Sequence, residues 1–178
     1  MMFKPAFAAA LAWVAASAHA TPVMQPVPAT PAPYVQPVLG QAVTNQVLVR
    51  LQQGEAACAQ LGIEYQADCL RQVFRAANNE IRRRPDYRAA SQELRTLDRQ
   101  LDSLVESNID RAAPVLRVQG RRVRAVQKAI APQVNAAARR AITESATRLL
   151  RSSGSAEAVA QLTQIAQAVN STKRILRS

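Results

Sequence analysis

The only two cysteines of this chain lie close together, in Cys58-Ala-Gln-Leu-Gly-Ile-Glu-Tyr-Gln-Ala-Asp-Cys69. Apolar residues at steps of three and four flank this stretch on both sides, which is the pattern of two helices joined by a bend. In an antiparallel helical hairpin, Cys58 near the end of one helix and Cys69 near the start of the next come to similar heights. The pair therefore predicts a disulfide that staples the turn. A redox-active pair is the alternative. It usually needs a spacing as short as C-x-x-C, whereas ten residues intervene here.

The compartment fits an oxidised pair. Lys4, the apolar run Ala6–Ala16 and Ala18-His19-Ala20 have the n-region, h-region and cleavage-site pattern of a secretory signal peptide over 1–20. Cleavage is expected between Ala20 and Thr21, giving a soluble periplasmic or secreted product with no transmembrane segment. His19 and Trp13, the chain's only histidine and only tryptophan, would be lost with the leader. A histidine-based triad, metal site or pH switch then has no residue to rest on.

Residues 21–42 form a leader rich in proline (Pro22, Pro26, Pro28, Pro31, Pro33 and Pro37). Without amide hydrogens at those positions it reads as an extended spacer, or else as a ligand for a proline-binding partner. Residues 43–178 are expected to form a single all-α domain, an elongated bundle of about five helices with coiled-coil-like packing.

A first helix is expected from Thr44 to Leu61, capped by Thr44 or Asn45, weakened at Gly54 and ended by a left-handed Gly62. A second runs from Glu64 to about Arg83, with Tyr65, Cys69, Leu70, Val73, Phe74, Ala77 and Ile81 on its apolar face. A third starts at Pro85-Asp86 and carries Tyr87, Ala90, Leu94, Leu97, Leu101, Leu104 and Asn108 at heptad spacing. That stripe suits either a coiled-coil seam between copies or a helix inside a bundle. A fourth helix is expected after Pro114, with Pro132 as a kink or a new start. A fifth is capped by Ser155.

Asp98, Asp102, Glu106 and Asp110 recur at steps of four, and Arg117, Arg121, Arg124 and Lys128 recur at four and three. If both stripes are helical and the chain folds back at Pro114, they would form an antiparallel charge zipper. The expected pairs are 110 with 117, 106 with 121, 102 with 124 and 98 with 128.

The formal net charge is +11 at pH 7, and it is unevenly spread. Residues 38–110 hold nine basic and ten acidic side chains, while 111–151 hold ten basic and one acidic, Glu144. Candidate polyanion or partner contacts are Arg121, Arg122, Arg124, Arg139, Arg140, Arg148 and Arg151. An anionic envelope component or an acidic protein would suit such a face, although a solvated basic surface has the same composition. No nucleic-acid recognition motif, zinc-finger spacing, phosphate loop or metal-spaced cluster occurs, so neither a specific nucleic-acid partner nor a cofactor is expected. The expected role is non-enzymatic binding or scaffolding. Self-assembly through the coiled-coil stripe is the alternative, with an unrecognised enzyme behind it.

Leu61-Gly-Ile-Glu-Tyr-Gln-Ala-Asp-Cys-Leu70, Leu149-Leu-Arg-Ser-Ser153, Ile165-Ala-Gln-Ala-Val169 and Leu176-Arg-Ser178 resemble segments of small exported helical proteins of proteobacteria. The likeness spans roughly Cys58 to Ser178. It implies an envelope setting and carries no activity to transfer.

Overall fold

A computed structural model describes residues 39–152 and 155–176. The expected signal peptide, its cleavage site and residues 21–38 of the proline-rich leader lie outside the described residues. Five helices are formed: α1 (Leu39–Cys58), α2 (Ile63–Ile81), α3 (Arg88–Glu106), α4 (Ala131–Leu150) and α5 (Ala156–Ser171). Between α3 and α4 lies a two-stranded antiparallel hairpin, β1 (Leu116–Val118) and β2 (Arg121–Val123). The architecture is thus an all-α bundle with one small β excursion. Each helix packs on the next, α5 closes back on α1, and α2 also touches α4 and β2.

The helix α1 starts ahead of the expected Thr44 cap. Thr44 is fully buried and joins its hydroxyl to Tyr87 Oη at 2.8 Å, while Tyr87 donates to the Gly40 carbonyl. The residue read as a cap therefore links α1 to the entry of α3. Val43, Val47, Leu51 and Cys58 form the buried stripe of α1. Gly54 lies on the same stripe, where α2 approaches so closely that a Cβ would overlap both methyl groups of Val73. The helix propensity lost at Gly54 is the condition for that close approach.

The α1–α2 bend differs from expectation at Gly62. Its φ of −57° and ψ of 150° are extended, and it is the N-cap of α2. Helical hydrogen bonding runs on through Ala59, whose amide donates to the Glu55 carbonyl at 2.9 Å, and the last turn tightens as Gln60 and Leu61 donate to the Ala57 and Cys58 carbonyls, so the helix ends without a left-handed terminator. Cys58 and Cys69 are bonded across this bend, with Cα atoms 5.7 Å apart and both residues almost fully buried.

Every apolar position read for α2 is buried. On α3, Leu94, Leu97 and Leu101 are fully buried within the single chain, against α2 and α4. Burying a leucine side chain stabilises by roughly 1.5–3 kcal/mol, which makes this stripe a main contributor to the core. The last heptad positions depart from the pattern. Val105 is buried, Leu104 and Asn108 are half-buried, and Asn108 donates to the Leu104 carbonyl at 2.7 Å as the helix ends. Pro132 stands in the first turn of α4, where its missing amide hydrogen costs nothing, and so marks a new start. Ser155 caps α5, accepting from the Ala158 amide at 3.2 Å.

The expected helix after Pro114 does not form. Asp110 Oδ1 accepts from the amides of Ala112 (2.9 Å) and Ala113 (3.3 Å), which turns the chain. Gln119 and Gly120 then both adopt positive φ, 49° and 77°, as a two-residue hairpin turn requires. The register pairs Leu116 with Val123, Arg117 with Arg122 and Val118 with Arg121. At the base of the excursion, Asp110 N–H donates to the Ala125 carbonyl and Gln127 N–H to the Asn108 carbonyl, each at 2.9 Å. Val126 N–H donates to the Glu64 carbonyl at 2.9 Å, and Tyr65 Oη to the Pro114 carbonyl at 2.9 Å. These bonds fasten the hairpin to the start of α2.

Candidate anion-binding surface

The hairpin is positioned by one buried carboxylate. Asp68 of α2 is fully buried, and its Oδ2 accepts the Arg124 backbone amide at 2.8 Å. Its Oδ1 receives Arg71 Nε at 2.7 Å and Arg124 Nη2 at 3.0 Å. Arg124 reaches on to Asp102 and Glu106, both at 2.7 Å, and Arg71 Nη1 lies 3.4 Å from Asp98 and from Asp102. Four carboxylates thus surround two guanidiniums, and Arg75 adds a cation near Asp98. Burial disfavours the charge of Arg124, but hydrogen bonds and Coulomb attraction from Asp68 and Asp102 outweigh it, so its pKa is raised above the ordinary value. Burial likewise raises the Asp98 carboxyl above its ordinary range, against the opposing pull of Arg71 and Arg75.

This network corrects the charge zipper. Of the four pairs expected along a helical hairpin, only Asp102 with Arg124 forms. Glu106 also meets Arg124, Asp98 meets Arg71, and Asp110 turns the backbone. Asp98, Asp102 and Glu106 share α3 at steps of four, and the helix ends before Asp110. The basic counterpart is not a stripe, because 117–124 is a hairpin and Lys128 begins a 3-10 turn.

Strand alternation sorts the hairpin arginines. Residues 116, 118, 121 and 123 turn toward the protein, while Arg117 and Arg122 are exposed and directly opposite each other. Like charges in that relation destabilise a strand pair. Beside β2, a cavity of about 460 Å³ is lined by Arg111, Arg122, Arg124 and Asp110, among others. On its other side the hairpin covers the disulfide: Val118, Gln119, Arg121 and Val123 enclose a small recess against Cys58 and Cys69.

The remaining candidate arginines are dispersed along α4. Arg148 is answered by Glu93 of α3 at 2.8 Å and sits 3.9 Å from Glu144, so it belongs to the α3–α4 contact. Arg139 and Arg140 line an open groove of about 470 Å³ with Thr143, Glu144 and Lys173. Arg151 is exposed at the C-cap of α4. Arg121, Arg122, Arg139, Arg140 and Arg151 make no ion pair among the described residues. The seven candidates therefore divide into two that hold the fold and five left free, on more than one element.

A further basic cluster escaped the sequence reading. Arg82, Arg83 and Arg84 follow α2, and Arg88 and Arg95 stand on α3. All five line one cleft of about 400 Å³ with Pro85, Ser91 and Gln92. The balanced charge of 38–110 hid it. The run Arg82-Arg83-Arg84 was the available signal.

Among the described residues no group of three His, Cys, Asp or Glu side chains could hold a metal ion, and no helix is long and apolar enough to cross a membrane. No family model, curated protein or solved structure matches the chain.

Proposed function

We propose that this is an exported, non-enzymatic binding protein that engages an anionic component of the cell envelope, or an acidic partner, through arginines left unanswered by the fold. The opposed pair Arg117 and Arg122 carries the reading. The hairpin holds two guanidiniums side by side on its exposed face although their repulsion weakens the strand pair, and an anion bridging them would relieve it. Arg111 borders the cavity next to Arg122, and the groove at Arg139 and Arg140 extends the basic surface. Adsorption to vesicles of anionic phospholipid tests this. Binding should weaken steeply as salt rises through ~0.1 M, where the screening length is about 10 Å. It should fall further in R117E/R122E, with R139A/R140A adding a smaller loss. Adsorption indifferent to both salt and R117E/R122E would refute the reading.

Self-assembly through the heptad stripe has less support, since Leu94, Leu97 and Leu101 are already covered by helices of the same chain. Light scattering over a concentration series separates the two readings.

A further inference from the structure

The cleft at the α2–α3 corner differs from the other basic surfaces. Five arginines line it, from two elements. Arg82, Arg83 and Arg84 arrive from the turn that ends α2, and Arg88 and Arg95 rise from one stripe of α3, two turns apart. Among the described residues none of the five makes a side-chain hydrogen bond or an ion pair. Of the acids on either side, Glu80 meets Arg50 at 3.1 Å, Glu93 meets Arg148 and Asp98 meets Arg71. Asp86 is exposed on the intervening 3-10 turn, and no carboxylate is among the residues that line the cleft. A cleft lined by one sign of charge raises the local concentration of counter-ions.

We infer that this cleft is a discrete site for a ligand bearing adjacent phosphate groups, held by forked contacts from Arg82, Arg83, Arg84, Arg88 and Arg95. The planar guanidinium matches two phosphate oxygens at once, and converging forks suit two neighbouring phosphates better than a single carboxylate. Gln92 adds an amide at the wall. The ligand is either a free oligophosphate or the phosphorylated headgroup of a surface lipid, since the cleft is open to solvent and both present the same chemistry. The site is separate in residues and elements from the surface around Arg117 and Arg122, so either can fail without the other.

Titration calorimetry with inorganic pyrophosphate and flotation with vesicles containing diacylglycerol pyrophosphate test this on the disulfide-bonded protein, at about 0.15 M salt to suppress non-specific attraction. Saturable one-to-one binding of pyrophosphate assigns a free oligophosphate. Flotation with diacylglycerol pyrophosphate well beyond that with phosphatidylglycerol of the same vesicle charge assigns a headgroup. In either case R84A/R88A should weaken binding by at least about tenfold, as loss of charge-assisted forks demands, while K128A, at an exposed lysine outside both basic surfaces, leaves it unchanged. Failure to bind either probe, or equal losses in both variants, would overturn the site. Circular dichroism of R84A/R88A should match the parent, because both side chains are exposed.

Discussion

Two groups of arginines at opposite ends of the α2–α3 pair meet opposite fates. Near the disulfide, Arg71 and the hairpin's Arg124 converge on buried Asp68 and are answered by three further carboxylates of α3. At the far end of α2 and the near end of α3, five arginines share a cleft with no acid in its lining. The first group holds six of the ten ion-pair contacts among the described residues, and its charges are answered within the fold. Among the described residues the side chains of the second make no hydrogen bond or ion pair, so their charges stay open to a ligand. Formal charge alone does not separate them; the position of the carboxylates does.

That contrast is broken most directly at Asp68. Asp68→Ala leaves buried Arg71 and the Arg124 amide without their shared acceptor. It should cost about 3–5 kcal/mol, as expected when one partner of a buried pair is removed. Urea denaturation would measure it, and a loss below about 1 kcal/mol would mean that the network is not the hairpin's anchor. The double variant C58S/C69S tests the staple beside it and should cost about 3 kcal/mol through the short closed loop, read in the same assay.

Asp98 sharpens the contrast through pH. Its folded pKa is raised above the ordinary 3.8 by burial, so the folded state binds this proton more readily than the unfolded state. Its contribution to stability therefore declines as pH rises from the ordinary value through the raised one. Asp98→Asn should remove that decline and change stability at neutral pH by less than about 1 kcal/mol, since the side chain is partly exposed and its contact with Arg71 is long. A steeper pH profile in the variant would contradict this sign. The smallest effect is expected at the open cleft, where R84A/R88A should leave the melting temperature unchanged or slightly raised through relieved repulsion. A marked fall would show that these arginines do hold the fold.

The helical part of this architecture was legible because burial imposes a period. Val73, Phe74, Ala77 and Ile81, and likewise Leu94, Leu97 and Leu101, repeat at the helical step, and the structure buries each of them. The cysteine pair was legible because two residues admit one pairing. The hairpin was misread because Arg117, Arg121, Arg124 and Lys128 also recur at helical steps, in a stretch so rich in arginine that such spacing arises readily. The weaker signals were Gln119-Gly120 as a turn, with Leu116, Val118 and Val123 alternating around it. Asp68 had no signal at all. Nothing local distinguishes it from the acids of α3, and only the tertiary fold brings Arg124 to it.

The hairpin over the disulfide has a kinetic corollary. Cys58 is 0 % and Cys69 2 % exposed, in a recess closed by Val118 and Val123 of the hairpin together with Gly54, Ala57 and Val73 of α1 and α2. Reduction must wait for that recess to open, so its rate should stop rising once the reductant outpaces its closing. The sulfur–sulfur bond then serves as a clock: its half-life under excess thiol reports how long the hairpin and the two helices stay closed over it.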